Sequence, residues 1–269
     1  MRFTRLTVAS PQPYTGGAVH AFLVHGAVPT LIDAPSDAPE FIGQVEAALA
    51  DAGDGPLQQL LATHAHPDHV VGAAALATRY PGCRRLKRPW PGRDELSGVT
   101  WDEITGEPML PAGDSRLWAI ETPGHAPDHL CFFDIADGVM FAGDLVINGG
   151  TVTIPASAGG SLVQYLRSLR KVLELQPRRM LPSHGSDVDQ PTSLLRGYIS
   201  HRMLRERQIL EVLAASGGVT ADAIVERLYA SVAVPLKRAA RENVMAHLIK
   251  LEQDGQVCVE EDTWRLVAR

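Results

Sequence analysis

Thr63-His64-Ala65-His66-Pro67-Asp68-His69 gathers three imidazoles and a carboxylate into one short stretch of a 269-residue chain. These side chains are metal ligands. In a helix, His64 and His66 would lie about 200° apart around the axis and could not share an ion. In an extended backbone, residues i and i+2 face the same way, so both can reach one metal. Pro67 biases His66 towards an extended conformation and suits the first turn of a following helix. Asp68 and His69 then fall in that first turn, near the same point but displaced, a geometry that suits two adjacent metals. A divalent ion needs about four to six ligands, so others must come from elsewhere. Thr122-Pro123-Gly124-His125, Phe141-Ala142-Gly143-Asp144 and Leu181-Pro182-Ser183-His184-Gly185 each put a ligand residue beside a glycine just after a strand-like run. Glycine allows the sharp turn and leaves room at the site.

Convergence of these loops requires neighbouring strands. Phe22-Leu23-Val24 and Thr30-Leu31-Ile32 flank a turn at His25–Pro29, which reads as a hairpin. Leu57–Thr63, Arg116–Thr122, Leu130–Phe133 and Val139–Ala142 continue the strand pattern, with a turn at Ala136-Asp137-Gly138. Helical spacing appears at Phe41-Ile42-Val45-Leu49 and along Leu162–Leu173. Strands with helices laid outside them predict a layered α/β domain over residues 1–188. From Pro191 the pattern turns helical. One long helix through Ile199, Met203, Ile209 and Leu213 stops at Gly217-Gly218; Thr220 caps a short helix through Tyr229; a third helix opens at Pro235. Val257-Cys258-Val259 and Trp264–Val267 form a terminal hairpin. Three helices and a hairpin predict a small winged-helix domain over residues 189–269.

The composition, 45% hydrophobic and 21% charged, is that of a soluble globular protein. A net charge of −6 speaks against general nucleic-acid binding. No apolar run reaches the roughly 18 residues of a membrane helix, and no secretory leader follows Arg2 and Arg5. Three widely spaced cysteines argue against a disulfide framework and for the cytoplasm. No GxSxG elbow offers a serine nucleophile.

As a set, the HxHxDH motif (His64, His66, Asp68, His69), Leu31-Ile32-Asp33, TPGHAPDH at 122–129, Gly143-Asp144 and His184-Gly185 resemble the metallo-β-lactamase superfamily. The tail, with Tyr198–Arg202, Arg205-Glu206, Asn243-Val244 and His247-Leu248, is similar to the winged-helix segment of the β-lactamase-like protein 2 branch. The likeness spans nearly the whole chain. It implies an αββα sandwich with two metals at one edge of the sheets, zinc first, with iron or manganese as alternatives. It also implies that His64, His66 and His125 hold one ion, that Asp68, His69 and His184 hold the other, and that Asp144 bridges them. A hydroxide between the ions would be the nucleophile, with Asp68 orienting it and accepting a proton. His129 is expected to support the ligands. His20, which stands where many relatives carry Asn, is expected to be an ordinary core or surface residue, as are His25 and His247.

The resemblance implies hydrolysis more firmly than a substrate. The branch includes RNA-cleaving enzymes, and related fungal enzymes release polyketides from carrier proteins by thioester hydrolysis. The acidic net charge and few aromatics favour a small-molecule or carrier-bound acyl thioester over single-stranded RNA. The basic residues Arg79, Arg84, Arg85, Lys87, Arg88 and Arg93 form a local cluster, expected to be solvated surface, that would serve RNA or a phosphopantetheine arm equally. A redox role is disfavoured because His66 stands where the di-iron flavoproteins carry Glu. A DNA-binding regulator is disfavoured by Glu242 in the recognition helix and by Glu260-Glu261-Asp262 in the wing. The tail is expected to wall the cleft or to mediate homodimer contacts. His201-Arg202 is expected to reach the active-site mouth or to bind the helix to the catalytic domain.

Overall fold

A computed structural model describes residues 1–11 and 16–267. The first sheet has six strands in sequential order: β1 (Phe3–Ala9), β2 (Ala18–Val24), β3 (Thr30–Ile32), β4 (Gln59–Leu61), β5 (Arg84–Lys87) and β6 (Asp102–Glu103). β1, β2 and β3 pair antiparallel; β3 to β6 run parallel. The second sheet comprises β7 (Met109–Ala112), β8 (Ser115–Glu121), β9 (Leu130–Asp134), β10 (Val139–Gly143) and β11 (Arg179–Pro182), in the order β11-β10-β9-β8-β7. Helices α1 (Pro39–Ala52), α2 (Pro67–Val70) and α3 (Ala73–Arg79) follow strands of the first sheet, and α4 (Leu162–Leu175) precedes β11.

The two-residue period of a strand assigns each side chain to a layer. Phe22 and Val24 join Leu61, Leu117, Phe132, Phe141 and Leu181 in the core between the sheets. Ala21 and Leu23, one residue out of phase, pack with Leu31 and Leu60 under Phe41, Val45 and Leu49 of α1 and Leu76 of α3. On the other side, Ile120, Cys131, Met140 and Met180 pack under Leu162, Tyr165, Leu166 and Leu169 of α4. Three apolar layers between four structural ones give the αββα sandwich. α1 begins with Pro39 in its first turn and ends on Gly53 in the left-handed region. Ser161 caps α4, accepting from the Gln164 N–H.

The tail contains α5 (Pro191–Ser216), α6 (Ala221–Leu228), α7 (Lys237–Gln253), β12 (Val257–Glu260) and β13 (Thr263–Leu266). Pro235 sits in a tight 3-10 turn, Val234–Leu236, and α7 starts just after it; the expected helix therefore begins two residues later than its proline. Thr220 does cap α6, through the Ala223 N–H. α5 serves two cores. Leu195 and Tyr198 belong to the layer under the second sheet, whereas Ile209 and Leu213 pack with Ile224, Val244, Leu248 and Trp264. Among the described residues no helix is long and apolar enough to cross a membrane.

Candidate metal centre

The turns that leave the strands carry the site. His66 is extended (φ −70°, ψ 148°) and Pro67 opens α2, as the sequence required. His64 follows β4, His125 lies in the turn between β8 and β9, Asp144 follows β10 and His184 follows β11. Gly143 (φ +51°) is required here: a Cβ there would sit 2.7 Å from His129 Nε2. Without one, the Asp144 N–H donates to that nitrogen at 3.0 Å.

All seven residues expected to be ligands come together, in three overlapping groups: His64, His66 and His125; His64, His69 and Asp144; and Asp68, His69 and His184. His66 Nδ1 lies 3.0 Å from both His64 Nε2 and His125 Nε2. His184 Nε2 lies 3.3 Å from Asp144 Oδ1 and 3.5 Å from Asp68 Oδ2. Asp144 stands between the groups, 3.4 Å from His125 Nε2 and 3.7 Å from His69 Nε2.

The outer hydrogen bonds set the tautomers. Thr63 Oγ1 gives its proton to Asp33, so His64 Nδ1–H donates to Thr63 Oγ1 at 3.0 Å. His69 Nδ1–H donates to Asp33 Oδ2 at 2.8 Å, His125 Nδ1–H to the Thr153 carbonyl at 2.7 Å, and His184 Nδ1–H to the Ala18 carbonyl at 3.0 Å. In all four, Nε2 is the nitrogen left for a cation or proton, the arrangement of metal-binding histidines held by outer partners. His69 Nε2 and Asp144 Oδ1 are buried with no hydrogen-bond partner. Orphaned polar atoms at the meeting point of so many ligand types fit a bound divalent metal.

Charge divides the site into two halves. Burial, aided by neighbouring imidazoles, holds His64 well below its ordinary pKa and His66 down at about 3. Burial also takes His129 to about 3. For His69, burial acts downwards, but Asp33, Asp68 and Asp144 outweigh it and raise the imidazole to about 9. At His184 burial is likewise outweighed, by Asp144 and Asp68, giving about 11. Asp144 stays well below the carboxylate range because His184 and His69 overcome its burial. Three buried neutral imidazoles therefore face a half in which Asp33, Asp68 and Asp144 stabilise positive charge at His69 and His184, the charge that a bound cation would supply.

Five of the seven residues, His66, Asp68, His125, Asp144 and His184, line a cavity of about 350 Å³. Ile147, Val152 and Pro155 form one wall, and Pro235, Arg238 and Ala239 of the tail form another. A second, more open groove of about 980 Å³ has Thr151 in its lining too and carries His201 and Arg205 along α5. Arg202 is buried and does not reach the ligands. It donates to the Val152 carbonyl at 2.5 Å and to Asn243 Oδ1 at 3.1 Å, binding the tail to the catalytic loop.

The remaining expectations divide. His129 supports the ligands through Asp144 and through Thr122 Oγ1 at 2.8 Å. His25 pairs with Asp54 at 2.6 Å. His20 contacts Thr7 Oγ1 and the Gly185 carbonyl, beside the His184 turn. The basic stretch is not one solvated patch. Lys87 is buried and holds Asp94 at 2.5 Å and Asp128 at 3.0 Å, because β5 turns it inwards. Arg79, Arg84 and Arg88 pair with Glu46, Asp102 and Glu121. Trp90 packs against His66, 5.9 Å between ring centroids. Asp128 accepts the Ala65 N–H at 2.9 Å, tying the two histidine loops together. The sequence signal for it was the TPGHAPDH motif itself. The tail was expected to wall the cleft, and Pro235, Arg238 and Ala239 do line it; that Arg238 in particular lines it had no signal, because only the tertiary fold sets which side of α7 turns to the site.

Residues 14–184 match the Metallo-beta-lactamase superfamily, and residues 220–264 match the Beta-lactamase associated winged helix domain. A "Beta-lactamase-like protein 2 homolog" of Caenorhabditis elegans is 29% identical, over 94% of this chain and 85% of its own length. An "Atrochrysone carboxyl ACP thioesterase" of Aspergillus chevalieri is 26% identical, over 96% and 83%. The crystal structure of a metallo-beta-lactamase family protein from Thermus thermophilus superposes with a TM-score of 0.82 at 21% identity, covering 98% of each chain. Fold, motif order and tail agree with these matches, and the chain belongs to the metallo-beta-lactamase superfamily, in the form that carries a C-terminal winged helix.

Proposed function

We propose that this protein is a dinuclear metal-dependent hydrolase of acyl thioesters, with residues 1–188 as the catalytic unit and 189–269 as a wall of its cleft. The observation that carries the reading is the set of four Nε2 atoms, fixed by outer hydrogen bonds and gathered with Asp68 and Asp144, of which His125, His184 and both carboxylates line a small cavity. His64, His66 and His125 would hold one divalent ion; Asp68, His69 and His184 the other; Asp144 would lie between them. Zinc suits this nitrogen and carboxylate set, with iron and manganese as alternatives. Such ions supply an acidified water as nucleophile and positive charge for the developing oxyanion.

The chain's own groups do the rest. Asp68 projects from the first turn of α2 into the cavity, where its second oxygen can orient a water and take its proton. Asp33 and the Thr153 and Ala18 carbonyls hold the imidazoles so that no reorganisation accompanies the reaction. The thiolate of a thioester is a good leaving group and needs no dedicated acid. The groove that shares Thr151 with the cavity lining is where a carrier arm would lie. Thioesterases among the relatives support the substrate class.

The test is hydrolysis of an acyl-coenzyme A panel beside labelled single-stranded RNA, by wild type and Asp144→Ala. The reading expects thioester cleavage that falls by at least about 10³-fold in the variant. RNA cleavage lost in the variant, with no thioester cleavage, would overturn it.

A further inference from the structure

Two arginines line the cavity beside the candidate ligand set, and neither has a carboxylate partner among the described residues. Arg93 comes from the segment after β5. Its charge lies 5.6 Å from the Trp90 ring centroid, and its Nε is buried without a hydrogen-bond partner. Arg238 comes from the first turn of α7, on the opposite domain. The three carboxylates of the same wall are turned elsewhere. Asp68 and Asp144 face the histidines. Glu242, one turn beyond Arg238, accepts from Ser157 N and Oγ, both at 2.9 Å. Two cations of separate origin thus border one small cavity without their natural partners.

We propose that Arg93 and Arg238 form an anion clamp selecting thioesters whose acyl chain is short and ends in a carboxylate. This rests on the thioesterase reading. At about 350 Å³ the cavity is near the lower end of ligand pockets, about 300–1,000 Å³. Ile147, Val152, Pro155, Pro235 and Ala239 offer apolar surface for a few methylenes. The planar guanidinium fork matches a carboxylate with two parallel hydrogen bonds. The phosphates of a carrier arm lie more than about ten bonds beyond the sulfur, too far for so small a cavity to enclose with the scissile carbonyl. An anion held inside it therefore belongs to the acyl side. Hydrolysis adds one water across the C–S bond and releases a dicarboxylate and a free thiol.

The experiment compares glutaryl-coenzyme A with pentanoyl-coenzyme A, a matched chain lacking the terminal charge, on the metal-loaded enzyme. The wild type is expected to prefer the glutaryl thioester by about tenfold or more in kcat/KM, and Arg93→Gln and Arg238→Gln to shrink that preference towards unity. Variants that lower both rates equally, with the preference intact, would show a structural role and overturn the clamp. Calorimetric titration of the same proteins with glutarate and pentanoate reads the clamp without turnover. Glutarate binding that exceeds pentanoate by about tenfold and depends on both arginines supports it even if no thioester is cleaved, which would sink only the thioesterase reading. Equal binding of the two acids, or arginine-dependent inorganic phosphate binding tighter than glutarate, would overturn it.

Discussion

At the scale of single residues, Asp33 organises the site without being one of the seven ligand candidates. It stands at the end of β3 with φ +64°, a conformation that Asp and Asn tolerate better than other side chains. Its carboxylate accepts the Thr63 N–H at 2.8 Å, the Thr63 hydroxyl, the His69 Nδ1–H and the Ser183 hydroxyl at 3.3 Å. One buried carboxylate thereby orients residues from two of the converging loops, Thr63 and His69 of one and Ser183 of another. Asp33→Asn keeps the backbone preference but replaces one acceptor oxygen with a donor facing donors. Metal affinity of that variant should fall by about 10–100-fold, read by competition with a chromophoric chelator. An unchanged affinity would mean that the tautomers are held by other contacts. The ligand set was legible in the sequence because imidazoles and carboxylates in turn positions have few other uses at such density. Lys87 was not legible: a charged residue in the run Arg84-Arg85-Leu86-Lys87 reads as surface, and its burial depends on Asp94, from the segment just after β5, and on Asp128, from a distant loop.

At the scale of elements, strands with clear apolar runs, such as β2, β9 and β10, were readable, as were α1, α4 and the tail helices. β1, with Thr4, Arg5 and Thr7 between apolar residues, and the charged β5 and β6 were not. Their pairing partners, rather than their own pattern, make them strands. Within the tail, α5 and α7 meet over a buried polar pair. His247 is fully buried, and its Nδ1 lies 3.8 Å from Glu206 Oε2. Burial, outweighing the carboxylate, lowers the imidazole below 6.5. The unfolded chain takes up a proton near pH 6.5 while the folded chain resists it, so the contribution is complete above that pH and is lost as pH falls through the folded value. Stability should decline from about pH 6.5 downwards, and the His247→Leu variant should show a shallower decline in urea unfolding. Parallel curves for both proteins would remove this account of the tail.

At the scale of the whole molecule, the winged helix is part of the catalytic architecture. Leu195, Tyr198 and Ala246 belong to the same core as α4 and the second sheet. Asn243 accepts from the Ile154 N–H at 2.9 Å and from Arg202. The segment those contacts fix includes Thr153, whose carbonyl holds His125. A chain ending before Pro191 should expose this apolar surface, aggregate, and lose activity together with ordered binding at His125. A soluble truncation with full activity would show that the tail is dispensable. The helix that a DNA-binding relative of this domain would present to DNA is turned inwards here, with Glu242 bound to Ser157 and Arg238 at the cavity.

The most direct measurement of the central claim is elemental analysis of protein purified without chelators and reloaded with zinc. It is to be made on wild type, His66→Ala and Asp144→Ala, with circular dichroism to verify each fold. Two metal ions per wild-type chain are predicted, and at least one fewer in each variant at unchanged secondary structure. A wild-type chain that holds no metal after reloading, or variants that keep the full complement, would contradict the account.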